Sequence, residues 1–276
     1  MGLSFVLLAA GIGRRFGGLK QLAPVGPNGE AIIDLTIADA ASAGFTEVVA
    51  IVRHSIADEL RAHIEARSPI PLRLAFQDDL GPQRDKPWGT AHALVAAAPL
   101  LAQPFAVANA DDYYDLDGIG RLADWLQHRR RQNSACLVAY RLGDTLSDRG
   151  SVSRGICEVG AQGELLRCVE NLKIAREADG VVRSEKGVLA DDSAASMNLF
   201  GFDASMLDLI RAEWEQWIPG KVDDTDDECR LPEVLNDLVA SGRASVDVLR
   251  TTGAWMGITY TDDLEPTRAA LAHRFV

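Results

Sequence analysis

The sequence predicts an α/β fold, a Rossmann-like three-layer α/β/α architecture around a mixed, mostly parallel central sheet. Apolar runs typical of strands that are buried on both faces alternate with segments of helical spacing, which is the pattern of βαβ units. The first apolar run leads directly into a glycine-rich loop, as strands of such sheets do at a ligand site. With 276 residues, of which 47% are hydrophobic, the chain can also bury a large core.

The first half of the chain alternates regularly between predicted strands and helices. Strands are predicted at residues 3–10, 48–52, 72–76 and 105–108, and helices at residues 32–43, 56–66 and 90–98. Gly44 follows the first helical segment and is a suitable helix stop. Because connections of this kind join parallel strands, we expect the first half to form a parallel sheet.

The second half is less regular. A helix is predicted at 118–130, strands at 135–141, 155–159 and 165–169 with Gly163 in a hairpin turn, and a polar loop at 176–192. A strand at 197–202, helices at 204–217 and near 231–241, strands near 246–249 and 257–260, and a closing helix complete the chain. No repeat or Ser/Gly-rich linker divides it. We therefore expect one domain over residues 1–276, with a nucleotide-binding half at about 1–115 and an acceptor half at about 116–276.

The charge balance argues against nucleic acid as a partner. The chain has 28 Lys and Arg against 40 Asp and Glu, a net charge of −12, whereas nucleic-acid binders normally carry a basic excess.

The most apolar stretch, 91–110, is interrupted by Pro99 and Pro104, so a helix and a strand are expected there rather than a membrane span. The N-terminus lacks the basic region of a signal peptide, and no cysteine pair has zinc-site spacing. We expect a cytoplasmic protein.

The first candidate site is the glycine loop that follows the first strand, which reads LAAGIGRRFGGLKQ over residues 8–21. Its glycines do not have the dinucleotide-binding spacing, and no Gly-Lys-Ser/Thr follows, so the loop is neither a Rossmann fingerprint nor a P-loop. Glycines after a buried strand let the backbone approach a ligand and point N–H groups at phosphate oxygens. Two arginines and a lysine in this loop of an acidic protein favour a polyphosphate site over a surface loop with chance basic residues.

The second candidate site is the pair Asp111 and Asp112, which follows the strand predicted at 105–108. The carboxyl ends of the strands form the ligand crevice of open α/β sheets, and Mg²⁺ takes one or two protein carboxylates there together with substrate phosphates. The alternative is a capping role at the helix that begins near Leu116. Beside the glycine loop, the metal interpretation is the stronger.

The third candidate site combines Gln77 at a strand end with the segment Gly89-Thr90-Ala91-His92. A glutamine amide offers one donor and one acceptor to a base edge, and a glycine lets a base lie against the backbone. A single histidine in an apolar helix is more often a core residue with satisfied hydrogen bonds than a catalyst. We therefore assign no catalytic role to His92.

Taken in order, these motifs resemble the sugar-1-phosphate nucleotidyltransferases, the nucleotide-diphospho-sugar transferase-like family. The residues that carry the resemblance are Gly11, Gly13, Arg15, Lys20-Gln21, Gln77, Gly89 to Ala91, Asp111, Gly155, Glu170 and Asn198. The segment GTAHA is especially similar to uridylyltransferases that act on N-acetylglucosamine 1-phosphate, and it also resembles adenylyl and guanylyl members. The loop from Gly13 to Lys20 is shorter than in the thymidylyltransferases and closer in length to the cytidylyltransferases of isoprenoid synthesis.

The resemblance implies a role for each matching position. Catalytic roles at the β- and γ-phosphates and the metal are implied for Arg15, Lys20 and Asp111, and nucleotide binding for Ala10, Gly11, Gly13, Gln77, Gly89 and Thr90. Sugar-phosphate binding is implied for Asp112, Gly155, Glu170, Lys173 and Asn198, although the family's glutamate is usually followed at once by lysine. Mg²⁺ is implied as cofactor, held by Asp111 and, in a weaker alignment, by Glu233, which also fits a first-turn helix carboxylate.

The implied activity is the joining of a nucleoside triphosphate, with UTP or dTTP favoured, to a sugar 1-phosphate, with release of pyrophosphate. The alternatives are cytidylyl, adenylyl or guanylyl transfer to another phosphorylated acceptor, and a nucleotide-sugar sensor without catalysis. The expected partners are these small molecules, with neither nucleic acid nor membrane. The sugar, the base and the oligomeric state, a homo-oligomer included, stay open.

Overall fold

The computed structural model describes residues 2–11, 19–147, 149–224, 226–257 and 264–272. The predicted site residues Gly13 and Arg15 lie outside the described residues. So does most of the strand predicted at 257–260.

The first part of the chain alternates between strands and helices as predicted. Its elements are β1 (Ser4–Leu8), α1 (Ile32–Ser42), β2 (Glu47–Val52), α2 (Ala57–Arg67), β3 (Leu72–Phe76), α3 (Thr90–Ala97) and β4 (Phe105–Asn109). The strands are parallel in the order β3-β2-β1-β4, and Leu8 lies opposite both Ile51 and Asn109. The carboxyl ends of β1, β2 and β4 are therefore level at one edge of the sheet.

The remaining elements extend this sheet with antiparallel strands. They are β5 (Asp112–Tyr114), α4 (Leu116–His128), β6 (Ser134–Arg141), β7 (Val152–Val159), β8 (Leu165–Arg176), β9 (Val182–Ser184), β10 (Gly187–Leu189), β11 (Ala194–Phe202), α5 (Met206–Trp217), α6 (Leu231–Ala240), β12 (Ser245–Arg250), β13 (Trp255–Gly257) and α7 (Leu264–Leu271). A separate two-stranded sheet joins β5 to β13. The mixed α/β sheet agrees with the prediction.

The strand β11 connects the two parts of the sheet. Its second half pairs with β4 and its first half with β7, while β6 pairs along its other side and in turn with β12. The register shifts between Ser196 and Phe200, and Asn198 within this break has a φ of 60°. The strand thus kinks beside the end of β4, where the predicted metal carboxylate follows.

Helices cover both faces of the sheet. On β1, Phe5 and Leu7 point into a core with residues of α1, α2 and α4, whereas Val6 points into a second core with residues of α3, α5 and α6. Alternate side chains of a strand face opposite sides, so a strand buried on both faces is continuously apolar, which is what the sequence shows. In the described part of the chain, no helix is both long and apolar enough to cross a membrane.

Two sequence predictions require correction. The polar loop predicted at 176–192 contains the hairpin of β9 and β10, and β8 continues to Arg176 instead of ending near Val169. Val182 packs with Ile174 in a small separate core, so a few apolar residues suffice to order this segment.

The capping role considered for Asp111 and Asp112 belongs to another residue. Asp115 caps α4, and its side chain accepts a hydrogen bond from Gly118 N.

Candidate active site

A cleft of about 250 Å³ opens at the carboxyl ends of β1 and β4. It is lined by Leu8, Ala9, Ala10, Gly11, Gln21, Ile51, Gln77, Pro87, Gly89, Thr90, Ala93, Asn109, Ala110, Asp111 and Glu228. The structure thus brings together six residues predicted as site residues from separate parts of the chain. They are Ala10, Gly11, Gln77, Gly89, Thr90 and Asp111.

A lysine and a carboxylate meet at this cleft. Lys20 begins the 3₁₀ turn Lys20–Leu22, and its Nζ forms an ion pair with Oδ2 of Asp111, which follows β4. The side chains are 21% and 29% exposed, so a ligand in the cleft can reach both. The lysine predicted to bind phosphate oxygens and the carboxylate predicted to hold a metal ion therefore lie in direct contact.

The amide of Gln77 is held in one orientation by His92. Gln77 Nε2 donates to the carbonyl oxygen of Gly89 at 3.1 Å and to His92 Nδ1 at 3.0 Å. His92 Nε2 lies 2.9 Å from the carbonyl oxygen of Leu80, which can only accept, so Nε2 carries the proton and Nδ1 is the acceptor. Both amide hydrogens of Gln77 are then used, and its Oε1 is the atom that remains to accept a hydrogen bond in the cleft.

Burial supports this neutral form of His92. The ring is buried beside Trp214, and desolvation lowers the pKa of His92 below its usual 6.5; the nearby Arg84 also lowers it, while the hydrogen bond to Leu80 and the charge of Asp78 act in the opposite direction. His92 is a buried, hydrogen-bonded histidine, as predicted. It also positions a cleft residue, which the sequence did not indicate.

The glycine at position 89 is required by the backbone. Gly89 precedes α3 with a φ of 106°, and a Cβ there would lie 2.4 Å from the carbonyl oxygen of Cys229. The next residue, Thr90, accepts a hydrogen bond from the backbone N–H of Leu231, which ties α3 to the start of α6. The cleft wall is therefore built from two segments far apart in sequence.

Gln21 is a cleft residue to which sequence reasoning gave no separate role. Its side chain is buried and lines the cleft, and in the part of the chain that the structure describes its Nε2 has no hydrogen-bond partner. A buried amide without a partner costs about 1–3 kcal/mol, so such groups commonly mark places where a ligand binds. Its position next to Lys20 in the quoted motif was the signal that could have identified it.

Asp112 lies behind the cleft and supports its floor. It is buried and accepts a hydrogen bond from Asn109 Nδ2 at 2.8 Å, while Asn109 itself lines the cleft. Burial raises the pKa of Asp112 to about 7, and the charge of Asp111 adds to this, whereas Asn109, Lys20 and Arg154 lower it. The two adjacent aspartates therefore have different environments, and Asp111 is the one that faces the cleft.

The predicted acceptor residues are distributed around β7, β8 and β11. Gly155 lies directly opposite Glu170, which is exposed in the middle of β8, and Lys173 is also exposed. A Cβ on Gly155 would lie 2.7 Å from Cys168 Sγ, so this glycine permits close packing. Asn198, at the kink of β11, has its Nδ2 3.5 Å from Asn109 Oδ1. Two of the predicted acceptor residues, Asp112 and Asn198, are thus connected to the cleft residue Asn109.

The carboxylates present fit a magnesium ion held partly by substrate. Among the described residues, no group of three or more His, Cys, Asp and Glu side chains could hold a metal by itself. Mg²⁺ commonly uses one or two carboxylates and completes its octahedral shell with phosphates and water, so Asp111 is a sufficient anchor. Glu228 also lines the cleft and pairs with Lys86 at 2.9 Å, whereas Glu233 is 57% exposed and pairs with Arg230.

A family comparison agrees with this geometry. The family model of the MobA-like NTP transferase domain matches residues 5–184, well over half of the chain. The chain belongs to the MobA-like NTP transferase family. The resemblance to nucleotide-diphospho-sugar transferase-like enzymes is thereby confirmed, and membership supports nucleotidyl transfer as the general activity.

The MobA-like match covers only part of the site. It includes the glycine loop, Gln77, Gly89 and Asp111, and it ends at the last residue of β9. Asn198, Glu228 and Glu233 lie beyond it. No curated protein matches the chain.

Proposed function

We propose that this protein is a Mg²⁺-dependent nucleotidyltransferase that joins a nucleoside triphosphate, with UTP or dTTP favoured, to a sugar 1-phosphate. The products are a nucleoside diphosphate sugar and pyrophosphate. The observation that carries the proposal is the contact between Lys20 and Asp111 in a cleft that also contains the fixed amide of Gln77. The cleft thus combines a cation that can bind phosphate, a carboxylate that can bind a metal ion and an amide that can recognise a base.

The reaction requires positioning and charge neutralisation more than proton transfer. An oxygen of the sugar phosphate attacks the α-phosphorus, its bond forms as the bond to the β-phosphate oxygen breaks, and pyrophosphate leaves. A phosphate monoester has a second pKa of about 6, so the nucleophile is ionised at neutral pH without a general base. Lys20 would bind the oxygens of the leaving pyrophosphate, and the backbone around Ala10 and Gly11 would orient the chain of phosphates.

Asp111 would hold the magnesium ion, with Glu228 or the predicted Glu233 as the second carboxylate. When bound, Mg²⁺ would neutralise charge on the α-phosphate and on the leaving group. The ion pair between Lys20 and Asp111 prepares the site, because each partner neutralises the other until the metal and phosphates replace them. The edge of the sheet therefore carries both a positive and a negative group. A site with only the carboxylate would repel the phosphates, and a site with only the lysine would repel the metal ion.

Base recognition would use two glutamine amides. The fixed Oε1 of Gln77 can accept an N–H from the base, and the buried amide of Gln21 can donate to a carbonyl. Uracil and thymine offer an N–H flanked by two carbonyl oxygens, which supports UTP or dTTP. The amino group of cytosine or adenine could also donate to Gln77, and guanine offers an N–H beside one carbonyl oxygen. Cytidylyl, adenylyl and guanylyl transfer are therefore the alternatives that the assay must separate.

The test is pyrophosphate release in a grid of five nucleoside triphosphates against a panel of sugar 1-phosphates, with and without Mg²⁺. Release that needs both substrates and the metal, and is strongest with UTP or dTTP, is the expected result. The variants Lys20→Ala and Asp111→Asn should lose release, and the exposed Lys186→Ala and Asp144→Asn should keep it. Nucleotide binding without release from any pair would favour the sensor alternative, and an absence of nucleotide binding would refute the proposal.

A further inference from the structure

A partly buried cation in the acceptor half forms no ion pair with any carboxylate that the structure describes. On β7, Arg154 donates from Nη1 to Ser153 O at 2.9 Å and from Nη2 to Thr145 O at 2.6 Å. Its Nε is buried and has no hydrogen-bond partner among the described residues. Over the described ranges, no carboxylate forms an ion pair with it, although most arginines there have one. Removing a cation from water is costly unless an anion compensates it. The charge of Asp112 acts on Arg154 without forming an ion pair, so the guanidinium is only partly compensated.

A second unused donor lies against this arginine. The guanidinium carbon of Arg154 is 4.8 Å from the ring centroid of Trp255. Trp255 Nε1 is also buried, and within the described ranges it has no hydrogen-bond partner. Trp255 is fixed by β13, where it pairs with Tyr114 of β5. Stacking of this kind holds the guanidinium plane and offsets only part of its desolvation. Two adjacent side chains thus each retain an N–H with nothing to accept it.

These two donors lie close to a charged group that adjoins the active site. Three neighbouring charges act on the pKa of Asp112: Asp111 raises it, whereas Lys20 and Arg154 lower it. A Cβ on Gly257, beside Trp255, would lie 3.1 Å from Asp112 Oδ1, which places the end of β13 next to that carboxylate. Arg154 and Trp255 therefore lie on the side of Asp112, the buried residue next to the proposed metal carboxylate Asp111.

We propose that Arg154 and Trp255 bind the anionic group of the acceptor, a phosphate monoester, through the guanidinium and the indole N–H. This rests on the proposed function and identifies where its second substrate is held. A planar guanidinium with unused N–H groups suits two phosphate oxygens, and the indole N–H supplies a third donor. Phosphate charge would compensate the partly buried cation on the side of Asp112, next in sequence to Asp111. The resemblance suggested Lys173 for this role, but that side chain is exposed on β8.

The site can be tested without catalysis, by NMR of the tryptophan indole N–H groups with inorganic phosphate as the probe. The Trp255 signal is identified by its absence in Trp255→Phe. We expect phosphate to shift this signal in the wild type, in Lys20→Ala, and in Arg167→Gln, which removes an exposed arginine from neighbouring β8. We expect no shift in Arg154→Gln and a weakened one in Arg154→Lys, with the other indole signals reporting whether each variant is folded.

Three results would overturn the proposal: a shift that persists in folded Arg154→Gln, a shift that disappears in Lys20→Ala, or no shift of Trp255 in the wild type. In the transfer assay, Arg154→Gln should raise the acceptor KM about 10- to 100-fold, the effect of losing hydrogen bonds to a charged group. The nucleotide KM should not change. A rise in the nucleotide KM alone would contradict the assignment. Phosphate binding at Trp255 together with no pyrophosphate release would keep this site and refute the proposed activity.

Discussion

The role of His92 as a positioning residue can be tested by two substitutions of similar size. An asparagine at this position can place its Oδ1 near the site of Nδ1, which keeps the acceptor for Gln77. A glutamine can place its amide near the site of Nε2, which keeps the donor for Leu80 and loses the acceptor. His92→Gln should therefore free the Gln77 amide to rotate, and His92→Asn should keep it fixed.

The structure sets the size of the effect. The contact between Gln77 Nε2 and His92 Nδ1 is one buried neutral hydrogen bond of 3.0 Å. Such a bond contributes about 0.5–1.5 kcal/mol net, which corresponds to about 2- to 12-fold in affinity. We expect the nucleotide KM of His92→Gln to rise by this factor and that of His92→Asn to stay near the wild-type value. Both variants should lose stability, since each leaves one buried polar group unpaired at about 1–3 kcal/mol.

The pH dependence provides an independent readout. Only neutral His92 accepts from Gln77, and burial lowers the pKa of His92, so the wild-type nucleotide KM should be constant above pH 7 and rise in acid. Because the folded pKa is below the usual 6.5, the stability from neutral His92 is complete above that value and declines as the pH falls toward the folded pKa. Equal KM values for the two variants, or an acid response that survives in His92→Asn, would refute the positioning role.

Three further predictions concern other parts of the site. Lys20→Ala should lower kcat by about 10²–10³, as for removal of one electrostatic donor, and steady-state kinetics against Lys186→Ala would show it; an unchanged kcat contradicts the assignment. Gly89→Ala should lower the melting temperature far more than Gly242→Ala, since both glycines have positive φ but only Gly89 would clash with Cys229 O; equal losses would contradict this. Asp112 has a folded pKa of about 7, so its protonated form is favoured in the native state. The free energy of unfolding of the wild type should therefore decrease as the pH rises from about 4 to about 7. Denaturant titrations should show that Asp112→Asn removes this decline, and an unchanged slope would contradict it.

Much of the fold followed from the sequence because its signals are local. The continuous apolar runs of β1, β2 and β4 and the glycine after α1 predicted the parallel half within one or two residues at most ends. The hairpin of β9 and β10 was missed because its strands, VRS and GVL, are only three residues long and are too short to show an alternating pattern. Its order comes from Val182 packing on Ile174, a contact that a local pattern does not contain.

The candidate site was predictable where residue type and strand position suffice. Asp111 and Gln77 follow strands and face the cleft as expected, and Lys20 contacts Asp111. Arg154 and the neutral form of His92 were not predictable. In a sequence, a strand arginine with unused N–H groups cannot be distinguished from a solvent-exposed one. The tautomer of His92 depends on Leu80, which is twelve residues away and outside the helix of His92. Sequence reasoning named Glu233, in the first turn of α6, as the second carboxylate, whereas Glu228, which precedes that helix, lines the cleft.

The central claim is attack by the acceptor phosphate on the α-phosphorus in the cleft beside Lys20 and Asp111. It is tested most directly with a sugar 1-phosphate whose phosphate oxygens carry ¹⁸O, incubated with the preferred triphosphate and Mg²⁺ and followed by mass spectrometry of both products. We expect all of the label in the nucleoside diphosphate sugar and none in the pyrophosphate, and we expect neither product from Asp111→Asn. Label in pyrophosphate, or unlabelled nucleotide product, would contradict it.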